Sequence, residues 1–337
     1  MNRNFAIAAV LAIVGLFASN NWAQQQQQAT RGIERVAENL YRAQNNGHYT
    51  VFLVTSDGII MSDPINREFA TWLKGELRTR FNVPVRYVLY THHHWDHASG
   101  GQVFADTAQF VGHSNMPAAL AILSGNVPLP EDARKLDASN NGRIERSEAT
   151  GQFQNNFALF DENKDGALSG AEVARGPVGD VHPPTVTFSD RHTVTLGGKS
   201  VVMVHVGIGH SPDMTVLHFP AERVLFGTDL IQVKRIPGDL VPTLGAQIDS
   251  MEKVASLDFD VVAPGHGMIG TKADITACLK YLKDLATGVA AGIGSGKSIR
   301  DLQASLTMDD YKTWDRYDTN RTLHIAHVYS MMTGSPD

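Results

Sequence analysis

The 337-residue chain is 42% hydrophobic and 19% charged, which supplies one large core or two modest ones and argues against gross disorder. A formal net charge of -6 leaves no broad basic surface, so nucleic acid is not an expected partner. The one cysteine, Cys278, rules out an intrachain disulfide, and its spacing with Ile275, Leu279 and Leu282 places it on a packed helical face.

In chain order, residues 1–23 read as a signal peptide. Asn2 and Arg3 precede an apolar run from Phe5 to Ala18, and Asn21-Trp22-Ala23 offers a cleavage site. That run is shorter than the ~20 apolar residues a spanning helix needs. No membrane span is therefore expected after cleavage, and a periplasmic or secreted location is. Gln24 to Gln28 open a polar lead-in, residues 24–34, with no apolar face to pack and expected to be disordered.

Val51 to Val54 and Ile59 to Met61 flank Ser56-Asp57-Gly58, a hairpin signal. Phe69, Trp72, Leu73, Leu77 and Phe81 then recur at helical spacing, and Asn82 with Pro84 marks the stop. A buried strand from Val85 to Tyr90 runs into Thr91-His92-His93-His94-Trp95-Asp96-His97, a polar cluster at a strand's carboxyl end. After Pro128 the chain turns rich in Asn, Asp, Glu and Gly until about Gly179, which marks an inserted module at 128–180. Short strands return at Val186–Phe188, around Val194, and at Val201–Val206, Met214–His218 and Arg223–Phe226. Helical spacing returns at Ile248, Met251 and Val254, over Ile275–Leu285, and from Leu323 to Met332. Strands and helices on both sides of the insert suit two sheets packed face to face with helices outside.

Histidine nitrogen and carboxylate oxygen suit zinc, and four such side chains within six residues are not explained by packing. In His92-x-His94-x-Asp96-His97 the alternating positions 92 and 94 send two imidazoles the same way, and the next turn directs Asp96 and His97 toward a second ion. Further ligands are then expected at other strand ends. His210 in Gly209-His210-Ser211, Asp229 in Phe226-Gly227-Thr228-Asp229 and His266 in Pro264-Gly265-His266-Gly267 occupy such places. Each alone is more often an ordinary loop residue. His93 should point away from its neighbours, and His113, His205, His218, His324 and His327 are assigned to surface or packing roles.

At these four motifs, in this order, the chain resembles the metallo-β-lactamase superfamily over most of residues 35–335 outside the insert. The resemblance implies a four-layer αββα metallo-β-lactamase fold in two parts, 35–127 and 181–337. It implies that His92, His94 and His210 hold one zinc ion, that Asp96, His97 and His266 hold another, and that Asp229 bridges them. Asp63, after Ile59–Met61, resembles an aspartate that supports the site from behind. Two cations sharing a water make a nucleophile at neutral pH, so the implied activity is hydrolysis of an ester, thioester, lactone or lactam in a small-molecule substrate, with Asp96 also marked as catalytic. Asp229 disfavours the cysteine-containing β-lactamase subclass and resembles the lactonase and glyoxalase II pattern. The competing readings are a true β-lactamase, an iron-dependent persulfide dioxygenase and a non-enzymatic calcium-binding protein.

Within the insert, Asp137, Ser139, Asn141, Arg143, Glu145 and Glu148 fall at the ligand positions of the twelve-residue EF-hand loop, with Gly142 at position six. Asp161, Asn163, Asp165, Ala167, Ser169 and Glu172 repeat the pattern around Gly166. Two tandem matches resemble a paired helical EF-hand module. Calcium is the cofactor they imply, in a structural role, with Ile144 and Leu168 pairing between the loops and Phe153, Phe157 and Phe160 as the intervening apolar face. Gly292 to Ser298 looks like a phosphate loop, but Ala291 stands where that spacing needs glycine, and a helix-to-helix turn is the better reading.

Overall fold

Alternation of side chains across a pleated strand decides how this chain layers. The computed structural model describes residues 29–334 apart from 122, 239, 241 and 242; the expected signal peptide and glutamine tract lie outside the described residues. Seven strands form one sheet: β1 (Arg31–Ala37), β2 (Leu40–Asn45), β3 (His48–Thr55), β4 (Gly58–Met61), β5 (Val85–Leu89), β6 (Gln109–His113) and, beyond the insert, β9 (Val186–Phe188). The insert carries a two-stranded ribbon of β7 (Arg143–Glu145) and β8 (Ala167–Ser169). The second sheet is β10 (Arg191–Leu196), β11 (Lys199–His205), β12 (Thr215–Phe219), β13 (Val224–Gly227), β14 (Val261–Pro264) and β15 (Gly270–Thr271), side by side in that order.

The two sheets close face to face. Val51, Leu53, Ile60, Leu89 and Val111 of the first meet Val201, Met203, Leu217, Phe219 and Phe226 of the second in one buried cluster. On β4 the alternation is visible residue by residue. Ile60 enters that inter-sheet core, while Ile59 and Met61 turn outward onto Phe69, Leu73 and Leu77 of the helix Arg67–Phe81. That helix starts on Asn66, whose side chain accepts the Phe69 amide, and ends on Asn82 in the left-handed conformation. Leu225 and Val262 face the other way, onto Met251, Leu282 and Val328 of the helices Leu244–Ser256, Lys272–Gly294 and Tyr317–Thr333. The order of layers is helix, sheet, sheet, helix. Cys278 is buried in the last of these cores, and the glycine-rich segment after it links the helix ending at Gly294 to the helix Ile299–Ser305.

One boundary is corrected. Residues 31–34, assigned to a disordered lead-in, belong to β1 and pair with Asn45 through Arg42 of β2. The polar residues Arg31 and Glu34 sit on an edge strand that asks for a partner ladder more than for an apolar face. No helix among the described residues is long and apolar enough to cross a membrane.

The insert folds around its own small core of Leu129, Ala133, Ile144, Phe157, Phe160 and Leu168. Ile144 stands opposite Leu168 in the β7–β8 ribbon. The two acidic loops share one hydrogen-bond plan. Asp137 accepts the amides of Asn141 and Gly142, and Asp161 accepts those of Asp165 and Gly166. Glu148 accepts from Ser139 and Glu145, and Glu172 accepts from Asn163 and Ser169. Val178 and Val181 already belong to the main core. At the insert's last residue the chain is stitched to the body where the Gly100 amide donates to the Asp180 carbonyl at 2.9 Å. Gly100 has φ of 87°, and a Cβ there would lie 2.5 Å from the Asn66 backbone, so no larger residue fits.

Leu53 lies fully buried between the sheets and away from the polar edge. Leu53→Ala is expected to cost about 2–5 kcal/mol, read as a lower urea midpoint with an unchanged slope.

Candidate metal centre

Topology gathers the polar residues at one edge of the two sheets. β4 and β5 run parallel, as do β13 and β14, so the loops after them leave in register pairs. Asp63 follows β4, and Thr91 and His92 follow β5. The short helix Trp95–Ala98 turns Asp96 and His97 inward. Asp229 and His266 come two residues after β13 and β14, and His210 lies on the β11–β12 connection. β3 is antiparallel to β4, which brings its first residue, His48, to the same edge. The turn before His266 needs glycine, because a Cβ on Gly265 would lie 2.9 Å from the Thr228 Cα.

All seven side chains picked out in the sequence converge, and His48 joins them. His92, His94, His210 and Asp229 each offer one ligand atom within a 4.8 Å group, and His48, Asp96, His97 and His266 form a second such group. Asp229 faces both. Its Oδ2 lies 3.3 Å from the Nε2 atoms of His92 and His210, while its Oδ1 lies 3.2 Å from His97 Nε2 and 2.9 Å from His266 Nε2. His210 Nε2 stands 3.0 Å from His94 Nδ1, and His97 Nε2 stands 3.1 Å from His266 Nε2. Two nitrogens sharing one tetrahedral zinc at ordinary bond lengths would be ~3.3 Å apart. His92 Nε2 is buried with no hydrogen bond. The spacing, the orphaned nitrogen and the nitrogen and oxygen donor set all fit a cation. The cluster is thus able to bind metal ions.

A layer behind the cluster sets the imidazole tautomers. Asp63, wholly buried, accepts from the Thr91 amide at 2.9 Å and from the Thr91 hydroxyl at 2.7 Å. With its proton given to Asp63, Thr91 Oγ1 is left to accept from His92 Nδ1 at 3.1 Å, which keeps the His92 Nε2 lone pair toward the centre. The Gly47 carbonyl does the same for His266, accepting from Nδ1 at 2.9 Å. Asp63 therefore reaches His92 through the Thr91 hydroxyl.

The charges follow from burial set against mutual attraction. Burial pushes the Asp229 carboxyl up, but the surrounding imidazoles, His97 first, outweigh it and hold it well below the usual carboxylate range. Burial pulls His97 down, and Asp229 with Asp96 more than reverses that, raising it to about 9. For Asp96 burial also acts upward, and the hydrogen bond from His48 at 3.2 Å with the charge of His97 holds the carboxyl low. His92 lacks comparable help, and burial lowers it to about 4. Burial raises Asp63 to about 6.

The remaining histidines stay out of the cluster. His93 turns away, with Nδ1 2.8 Å from Asp213 Oδ1, an oxygen that also accepts from the Ser211 hydroxyl. His113 stacks on His205 at 3.9 Å, His218 meets the Asp258 carbonyl, and His324 meets the Tyr281 hydroxyl. Three contributors escaped the sequence: His48, Asp213 and the wall of the hollow above the ligands. This hollow, about 370 Å³, is bordered by Trp95, Gln152 of the insert, Gln232, Arg235 and Arg316. The one available signal for His48 was its place after Asn46-Gly47, which marks any tight hairpin.

The four layers and the His/Asp nest at the sheet edge define a metal-dependent hydrolase. A model of the Metallo-beta-lactamase superfamily matches residues 70–266, and the chain belongs to that superfamily. A linear primary-alkylsulfatase of Pseudomonas sp. (strain ATCC 19151) is 25% identical over 248 residues, covering 70% of this chain and 43% of that protein. The chain thus spans less than half the length of this curated relative. Among solved structures, a metallo-beta-lactamase from Pontibacter korlensis aligns with a TM-score of 0.51 at 18% identity, over 75% of this chain and 99% of that one. The stereoselective inverting sec-alkylsulfatase Pisa1 from Pseudomonas sp. aligns with a TM-score of 0.59 at 15% identity, over 91% of this chain and 51% of that one. At these identities the structures establish likeness of fold.

Metal must displace the proton that His97 carries below about 9. Zinc added to metal-free protein at pH 7.5 is expected to release protons, and its affinity to rise with pH and level off near 9, as calorimetry in buffers of different ionisation enthalpy would show. In the metal-free protein the His97–Asp229 attraction is fully present below the ordinary imidazole value and fades as pH rises through about 9. Thr91→Val removes one of the two hydroxyls beside His92 Nδ1, the other being Thr228 Oγ1 at 3.2 Å, and is expected to weaken zinc binding ~10-fold, measured by competition with a chromophoric chelator.

Proposed function

We propose that the chain is an exported dinuclear zinc hydrolase acting on a small-molecule substrate, with calcium held in its insert. The observation that carries the hydrolase reading is the Asp229 carboxylate, with one oxygen toward His92 and His210 and the other toward His97 and His266. In this reading His92, His94 and His210 would hold one ion and Asp96, His97 and His266 the other, with His48 beside them and Asp229 within reach of both groups. When bound, the two ions supply Lewis acidity and bring the pKa of a shared water toward ~7. The protein's own groups do the rest. Asp96, kept ionised beside His48, is the carboxylate we assign to orienting that water by accepting a hydrogen bond from it. Trp95 and Gln232 shape the hollow in which the substrate lies. No serine or cysteine nucleophile is required, and Cys278, buried and pushed up to about 12 by burial, offers none.

The bond cleaved is an ester, thioester, lactone or lactam. Sulfate-ester hydrolysis is the second reading, favoured by two guanidiniums, Arg235 and Arg316, on the wall of the hollow, and by the relatives whose names are alkylsulfatases. An anionic leaving group would meet that pair as it separates.

In the insert, Asp137 and Asp161 each accept two amides of their own loop on a shared hydrogen-bond plan, which supports calcium as the ion the loops hold. Arg143 of the first loop crosses to the second, donating to both oxygens of Asp165 at 2.5 and 2.6 Å and to the Ala167 carbonyl at 3.0 Å. A cation in the second loop would have to displace that guanidinium.

Metal analysis of the purified mature protein is expected to return two zinc ions, with hydrolysis in a screen spanning esters, thioesters, lactones, lactams and alkyl sulfates. Asp229→Ala is expected to lose both zinc and turnover. Zinc-loaded protein that turns over none of these substrates would sink the reading. Calcium removal with zinc retained is expected to lower the melting temperature, and Arg143→Ala to tighten calcium binding by calorimetry. Unchanged stability and unchanged kinetics on calcium removal would rule calcium out.

A further inference from the structure

The turn that carries His266 has little restraint of its own. His266 stands between Gly265 and Gly267, and Gly267 has a φ of 83°; glycine on both sides leaves the backbone more freedom than any other pair of neighbours would. Three carbonyls of this turn are nevertheless bonded to the first sheet. Tyr49 of β3 donates its amide to Gly265 at 2.9 Å. Arg42 of β2 donates from one terminal nitrogen, Nη2, to Pro264 at 3.1 Å and to Gly267 at 2.5 Å, one carbonyl on each side of His266.

Arginine is a costly occupant of that position. It shares a strand face with Leu40, two residues earlier, which enters the inter-sheet core, and only 2% of Arg42 is exposed. A guanidinium at this depth needs its charge and its donors met, and ion pairing supplies little of that. Glu34 reaches Nη1 only at 3.6 Å, from an exposed side chain, and Arg42 Nε has no hydrogen-bond partner. The Tyr49 ring lies against the guanidinium, 3.4 Å from its carbon to the ring centroid. The buried cation is thus met by one aromatic face and by two carbonyls that bracket a histidine of the ligand cluster.

We propose that Arg42 is the positioning residue for His266: its guanidinium, reaching across from the first sheet, fixes the turn 264–267 that presents His266 to Asp229 and His97. The inference rests on reading Asp96, His97 and His266 as the second metal group, and adds to it an arginine that touches none of the donor atoms. The hairpin between β2 and β3 completes the hold. The Gly47 carbonyl accepts from His266 Nδ1 at 2.9 Å, and the His48 ring stands edge-on to that of His266 with centroids 4.6 Å apart. A shift of the turn would disturb contacts made by Gly47, His48 and Tyr49 together. His92, His94 and His210 stand on other connections, so the loss of Arg42 falls on one ion and spares the other.

The test compares Arg42→Met, which keeps an unbranched side chain and removes its donors, with Arg42→Lys, which keeps the charge without the planar fork. Zinc affinities are read by competition with a chromophoric chelator, and the His266 Nδ1–H resonance by imidazole nitrogen NMR of the metal-free protein. Arg42→Met is expected to weaken one zinc ion ~10–100-fold, to leave the other unchanged and to lose the slowly exchanging His266 resonance. Arg42→Lys is expected to weaken the same ion by less, and serves alone if the methionine variant does not fold. Leu73→Ala, a destabilising change beneath the helix Arg67–Phe81, is expected to leave both affinities alone. No loss or equal loss of the two affinities, an unchanged His266 resonance, or the same zinc pattern in Leu73→Ala would overturn the proposal. Neither measurement needs turnover, so zinc-loaded protein inactive on every substrate would sink the hydrolase reading while these two readings still decide the role of Arg42.

Discussion

The Asp229 carboxylate is the group on which the centre depends. A carboxylate taken out of water to this depth costs several kcal/mol unless positive charge meets it, and four imidazole nitrogens lie within 3.3 Å of its two oxygens. In the metal-free protein only part of that company can be charged, because His92 is held down near 4 by burial while His97 is held up near 9. One proton on His97 offsets part of the burial cost. Two cations, one on each side of Asp229, would offset it more completely and also occupy the orphaned His92 Nε2. The same electrostatics that make the carboxylate expensive to bury thus favour cations at this cluster.

That arrangement explains why the scaffold has two sheets rather than one. Imidazoles meet both oxygens of Asp229, and the two sheet edges that flank the site each supply one imidazole to each oxygen. β5 carries the nest at 92–97, while β13, β14 and the β11–β12 connection carry Asp229, His266 and His210. The inter-sheet core of Leu53, Ile60, Leu89, Met203, Leu217 and Phe226 fixes the distance between those flanks. Loss of packing there would be felt as a change in nitrogen spacing. The polar layer of Asp63, Thr91 and Thr228 lies directly between that core and the ligands, with the Thr91 and Thr228 hydroxyls 3.0 Å apart, so each flank holds the other's tautomer as well as its position.

How much of this was legible varies with how local the signal is. The nest at 92–97 declares itself because four ligand types within six residues have no packing explanation. The hairpin at 56–58 and the helix to Phe81 declare themselves by period. His210, Asp229 and His266 are single polar residues after strands, and only resemblance to a family gave them weight. His48 was invisible: it becomes a neighbour of Asp96 because β3 runs antiparallel to β4, a fact of pairing that no local pattern encodes. Arg235 and Arg316 were invisible for the same reason, since they meet through the backbone bridge between Arg235 and Asp315, far apart in sequence. The lead-in was misread over residues 31–34 because an edge strand can be polar on both faces and still be held by its ladder.

The insert, too, acquires meaning only from where it is attached. Its small core is separate from the main one, so it could have been a passive ornament on a long loop. Instead, the chain leaving it is bonded to the very turn that carries the ligands: Ser99 bridges Val181 and the Gly100 amide donates to the Asp180 carbonyl, one and two residues beyond the helix Trp95–Ala98. Gln152, on the insert's helix Gly151–Asn155, then borders the same hollow as Trp95 and Asp96. A segment bonded at the turn after Asp96 and bordering the same hollow is tied to that turn at one end and to the hollow's wall at Gln152. Order imposed on its acidic loops would therefore reach the hollow through the Ser99–Val181 bridge and the Gly100–Asp180 hydrogen bond.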